Sequence, residues 1–174
     1  LAAHRAAQPD GSGIDVAASV RGGVVACRRD PSGALVTTSH SLPEGLAIQV
    51  FQSPVSASTP RLLGAVRAYA KVKPSGYRAQ IDALSKGSAQ AIDATSPSAF
   101  IDALRDQVNA LVSLGSAAHA SIVTREVASL RQAATREGAS FGPSGAGGGD
   151  VALFVGVAAP SATFIAQAAG VGLT

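Results

Sequence analysis

The chain has 174 residues, of which 47% are apolar and 14% charged, and its formal net charge is +3. That balance excludes disorder by composition and supplies core material for one large domain, or one domain and part of another. The arginines and lysines are scattered, with no basic stripe interleaved with aromatics, so nucleic acid is not an expected partner.

Residues 1–8 read as helix, and Leu1-Ala-Ala-His-Arg5 looks like the last turns of one already under way. With no initiator methionine and no basic-then-apolar signal segment, the expectation is the carboxy-terminal part of a longer protein. Pro9-Asp-Gly-Ser-Gly13 breaks that helix, and residues 14–19 form a short small-residue segment. The Gly22-Gly23 pair leads into a predicted strand over 24–28, Asp30-Pro-Ser-Gly33 is a turn, and 34–38 pairs back as the second hairpin arm. Cys27 lies in an apolar run; alone, it reads as a buried core thiol in a reducing cytoplasm.

Residues 39–45 read as a linker, and 46–51 as the best strand of the first half. Helical character follows Pro54. Thr59 is the expected cap of the first helix, with Pro60 at its first position and Leu63, Val66 and Ala70 at helical spacing. Lys73-Pro-Ser-Gly76 separates a second helix running to Asp93, and Ser96-Pro97 opens a third with the stripe Phe100, Leu104, Val108, Leu111 and Leu114. Thr124 caps a fourth, with Val127, Leu130 and Ala134 inward, which Glu137-Gly138 ends. A glycine loop over 142–150 precedes a strand at 151–155, and a last helix starts near Ser161. The uncharged run 151–174 contains Pro160, Ser161, Thr163 and Gln167, so it reads as strand, turn and helix, not a membrane span. The order implies an α+β domain with helices covering one face of a small sheet.

His4, His40 and His119 lack metal-ligand spacing, so no metal site is expected. Arg28-Arg29 reads as a solvated strand end. The glycine loop is neither a Walker loop, since no Gly-Lys-Ser/Thr follows, nor a dinucleotide fingerprint, since a strand comes next. Its glycines fit either an ordinary tight loop or a backbone cradle for an anion.

Pro143-Ser-Gly-Ala-Gly-Gly-Gly-Asp150 resembles the third motif of the GHMP small-molecule kinases, and is most similar to the phosphomevalonate kinase branch. The resemblance implies that Ser144, Gly145, Ala146, Gly147, Gly148, Gly149 and Asp150 border the phosphates of a bound nucleotide. The family often carries Lys where this chain has Gly142. Gly11-Ser-Gly-Ile-Asp15 followed by Gly22-Gly23 is similar to the family's catalytic segment. It implies Asp15 as the acceptor-side carboxylate, with Ser12 and Gly13 at the substrate; taken alone, Asp15 reads as a helix cap. Residues 56–63, Leu114-Gly115 and residues 122–127 fit the helical part of the same branch.

The resemblance implies that residues 1–39 end the family's ATP-binding domain and that 40–174 are its ferredoxin-like carboxy-terminal domain. It implies ATP and Mg²⁺ as cofactors, and a cytoplasmic kinase acting on phosphomevalonate or mevalonate for isoprenoid precursors. The Lys-bearing and Gly-Leu-Gly-Ser-Ser segments would precede Leu1, so the chain alone is expected to be inactive. Without that amino-terminal part, exposed apolar surface is expected to drive self-association, as in a homodimer, or to retain the missing piece. The alternatives are a sugar kinase of the same family and a non-catalytic metabolite-binding or regulatory protein.

Overall fold

In the computed structural model, residues 12–174 are described, and the helix expected over 1–8 lies outside them. The chain divides into two units, Leu1–Leu42 and Pro43–Thr174.

In the first unit, α1 (Ile14–Arg21) carries Asp15 in its first turn and Arg21 in its last, both favoured by the helix dipole. Gly22 and Gly23 take φ of 70° and 63°, a region that side chains disfavour, and so turn the chain into β1 (Val24–Arg29). β1 pairs antiparallel with β2 (Leu35–His40), from Val24 opposite His40 to Arg29 opposite Leu35. The ladder runs two residues beyond the predicted arm: Ser39 and His40 belong to it and not to a linker. At the turn, the Asp30 carboxylate accepts from the Ser32 hydroxyl at 2.6 Å and the Ala34 N–H at 2.9 Å. Cys27 is half-buried and not in a core, because a two-stranded hairpin has little with which to cover both faces.

The second unit contains β3 (Ala47–Gln52), α2 (Thr59–Val72), α3 (Pro74–Asp93), α4 (Pro97–Ala117), α5 (Arg125–Arg136), β4 (Ser140–Pro143), β5 (Val151–Gly156) and α6 (Ala162–Gly170). Its antiparallel sheet has the order β3-β5-β4. The central strand reads Val-Ala-Leu-Phe-Val-Gly, apolar throughout as a strand covered on both sides should be. Three helices start on hydroxyl caps, at Thr124 as expected and at the expected helix starts Ser96 and Ser161: the Ser96, Thr124 and Ser161 hydroxyls accept from the N–H of Ala99, Val127 and Phe164. At α2 the cap is Ser58 and not Thr59, and its side chain makes no capping bond. Only Lys73 separates α2 from α3, because Pro74 is itself the first residue of the new helix. A Cβ at Gly76 would lie 2.5 Å from the Tyr69 hydroxyl oxygen, so that ring lies across the elbow beside Tyr77.

Phe51, Phe141, Phe154 and Phe164 meet edge to face, with ring centroids 4.9–5.7 Å apart. Val127, Leu130 and Ala134 of α5 and Ala168 of α6 close over them. This meets the expectation of helices on one face of the sheet, but α4 departs from it. Along β4, Phe141 joins the aromatic core while its neighbour Gly142 faces Val108 of α4. On α4, Val108 and Leu114 are buried as predicted, Phe100, Leu104 and Leu111 are half-buried, and Ile101 is fully buried. A single stripe does not describe this helix because it packs on both α3 and β4. The fold is α+β, with helices on antiparallel strands. No helix among the described residues is long and apolar enough to cross a membrane.

Candidate functional site

The glycine loop begins later than its sequence suggests. Gly142 and Pro143 are strand, pairing with Leu153 and Ala152 of β5. Pro143 ends an edge strand, where a missing N–H is tolerated. A Cβ at Gly142 would stand 2.3 Å from Val108 Cγ2, and Val108 is buried, so this packing has no room for a lysine side chain.

The following residues divide into an exposed tip and a buried base. Ser144, Gly145 and Ala146 are exposed, whereas Gly147 and Gly149 are buried. The base is packed against backbone. A Cβ at Gly147 would lie 2.2 Å from the Ile122 carbonyl oxygen, and one at Gly149 2.1 Å from that of Val55. A Cβ at Gly148 would lie 2.8 Å from Leu62 Cδ1. The Gly148 N–H donates to the Ile122 carbonyl at 2.8 Å and the Asp150 N–H to that of Val55 at 2.8 Å. The Asp150 carboxylate accepts from the Ala57 N–H at 3.1 Å, and its carbonyl accepts from the Ser53 N–H at 2.7 Å. Gly147, Gly148 and Gly149 are thus required for close packing, and Asp150 fastens the 53–57 segment to the loop. At the tip, Gly145 has φ of +80° and open space around its Cα. There the backbone can approach an anion without obstruction.

The sequence pattern missed the three supports Val55, Leu62 and Ile122. The glycine run announces a close approach, but the approaching backbone lies far away in sequence.

Asp15 stands in the other unit. Gly13 occupies the N-cap of α1 with φ of 72°, so Asp15, two residues further, is a first-turn carboxylate and not the cap. The Ser12 hydroxyl accepts from the Ile14 N–H at 3.3 Å, and the Arg29 guanidinium donates to the Ser12 carbonyl at 3.3 Å and the Gly33 carbonyl at 2.8 Å. Arg29 is therefore a tie between the start of α1 and the hairpin turn, not a merely solvated strand end. Among the described residues, no group of three or more His, Cys, Asp or Glu is placed to hold a metal ion.

The fold matches crystal structures of a Lin0012 protein from Listeria innocua and of L. major mevalonate kinase in complex with R-mevalonate. The first has a TM-score of 0.71 and 19% identity over 80% of this chain and 40% of that one. The second has a TM-score of 0.69 and 19% identity over 92% and 48%. Streptococcus pneumoniae phosphomevalonate kinase, in complex with phosphomevalonate and AMPPNP, matches with a TM-score of 0.60 and 16% identity over 82% and 41%. No protein-family model and no curated protein matches the chain. The chain spans less than half the length of these solved structures. At such identities the likeness is one of fold: the chain has the architecture of part of these structures.

Proposed function

We propose that this chain is the carboxy-terminal part of an ATP-dependent small-molecule kinase of the GHMP type, with phosphomevalonate or mevalonate as acceptor. The observation that carries the reading is a coincidence. The chain has the fold of part of these kinases, and its loop 144–150 has the exposed, glycine-bearing tip that a phosphate group requires. Residues 1–39 would end the ATP-binding domain, and the preceding part would supply the principal phosphate loop.

Bound ATP would supply the γ-phosphoryl group, and Mg²⁺ would neutralise its charge. The tip residues Ser144, Gly145 and Ala146 would border the phosphates with backbone N–H groups, while residues 147–150 hold that tip in place. Asp15 would face the acceptor, with Ser12 and Gly13 shaping the backbone beside it. A hydroxyl acceptor needs a base to orient it or take its proton; a phosphate acceptor is already ionised near pH 7, which leaves Asp15 an orienting role.

Coupled ADP release by the longer protein and by this chain tests the reading: turnover is expected of the first only. Asp15→Asn in the longer protein should lower turnover about 10²–10⁴-fold with a hydroxyl acceptor, and less with a phosphate acceptor. Gly142 favours a second reading, since it leaves no place for the family's Lys. Binding of a metabolite without turnover by the longer protein would replace the kinase with a regulatory binder.

A further inference from the structure

A second concave site lies between α4, α5 and the start of β4. It is a pocket of about 180 Å³, to which Arg105 and Asn109 of α4, Arg131 and Thr135 of α5, and Ser140 of β4 contribute. That is far more than the roughly 10–15 Å³ one water needs. No carboxylate lines it.

The two guanidinium groups are held differently. Arg105 is clamped: its Nε donates to the Ala139 carbonyl at 3.2 Å, and one terminal nitrogen to Asp102 at 2.8 Å. Asp102 is two-thirds exposed, so its charge is largely spent in water. Arg131 donates to the Asn109 side-chain oxygen and has no carboxylate partner among the described residues. Burial holds its pKa below the ordinary arginine value, yet an arginine keeps its charge in a protein. A partly buried cation without an anion is costly unless something compensates it.

The remaining groups point to what compensates it. Ser140 is only 4% exposed, lines the pocket, and its hydroxyl makes no hydrogen bond with a described residue. The Thr135 hydroxyl is already committed to the Arg131 carbonyl at 3.0 Å. Donor-bearing side chains thus line the pocket from three elements: Arg105 and Asn109 of α4, Arg131 of α5, and Ser140 of β4. A planar carboxylate would use one fork of such a set, whereas a tetrahedral oxyanion offers acceptors in every direction.

We propose that the pocket between α4, α5 and β4 binds a phosphate group, as the free ion or as a small phosphomonoester, with Arg131 as its principal anchor. The site is separate from the glycine loop, which leaves the far end of β4, and it requires no kinase activity.

Titrations of the ¹⁵N-labelled chain with inorganic phosphate and with methyl phosphate, each against sodium chloride at equal ionic strength, test this. The expected result is saturable shifts at the Arg131 side-chain N–H and the Ser140 amide with phosphate and not with chloride. Binding of methyl phosphate as well would identify a phosphomonoester site; exclusion of it would identify a free-ion site. Arg131→Gln should weaken binding about ten- to hundredfold, and Arg131→Lys should restore part of it. Should Arg131→Gln fail to fold, Ser140→Ala serves in its place, with weaker binding expected. Shifts that chloride reproduces, or equal affinity in Arg131→Gln and the unaltered chain, would overturn the proposal.

Discussion

A methyl group added at Gly149 would collide with the Val55 carbonyl, and one at Gly147 with that of Ile122, while at Gly145 it would meet nothing within 4 Å. Gly149→Ala and Gly147→Ala should therefore each cost about 1–3 kcal/mol or more through overpacking added to backbone strain. Gly145→Ala should cost only the left-handed backbone penalty of about 1 kcal/mol. Gly142→Ala, directed at buried Val108, belongs with the costly pair. Urea denaturation followed by far-ultraviolet circular dichroism ranks the four; equal losses at Gly145 and Gly149 would contradict the division into tip and base. The sequence announced that these glycines matter, because three in a row before an apolar strand have few uses. It could not say which were structural, since Val55 and Ile122 are brought there only by the fold. The glycine-rich composition of 142–150 gives no sign that Gly142 and Pro143 complete an edge strand.

Between elements, the end of α5 is tied to the start of α6. The Glu137 carboxylate accepts from the Ser161 hydroxyl at 2.6 Å and the Ser161 N–H at 3.0 Å, and the same hydroxyl accepts from the Phe164 N–H at 3.1 Å. Ser161→Ala removes a cap and this tie together, so a loss of about 1–2 kcal/mol is expected in the same denaturation measurement. At the β1–β2 turn, the hydrogen bonds from Ser32 and then Ala34 hold the Asp30 carboxyl below its ordinary value of 3.8. A depressed carboxyl supports the turn at all pH values above its ordinary range and withdraws that support as pH falls through the lower, folded value. The Ala34 amide resonance should titrate with a midpoint under 3.8, and Ser32→Ala should raise that midpoint. The cap at Thr124 and the helix starts at Ser96 and Ser161 were legible because a short hydroxyl commonly precedes an apolar period, but the same rule placed the α2 cap at Thr59 where the structure has Ser58. The α2–α3 boundary was legible only in part, since Pro74 can end a helix or open one, and here it opens one.

At the scale of the molecule, burial is divided unequally. Of the described residues in the first unit, the buried apolar side chain is Ala17; the other buried apolar side chains, the aromatic cluster among them, are in the second unit. Amide hydrogens of β1 and β2 should therefore exchange well before those of β5, in an experiment resolved by mass spectrometry or NMR. Equal protection of the hairpin and β5 would show that something beyond the contacts described here stabilises the first unit. The α+β class was legible at this scale because the long helical periods stand together, with short apolar strands before and after them, and do not alternate with strands one by one. The placement of α4 beside Gly142 was not, because it rests on a missing side chain, which leaves no periodic mark.

The elbow between α2 and α3 also decides how this protein can be observed. The chain has no tryptophan and two tyrosines, and both, Tyr69 and Tyr77, flank that elbow. Its intrinsic fluorescence therefore comes from a single joint between helices, while four phenylalanines that emit little occupy the core. A melt followed by emission would report that joint directly, and the sheet only as far as it unfolds together with the joint. A tryptophan at Phe164, which touches the other three core rings, would give the interior an optical reporter of its own, provided the core can take its extra volume.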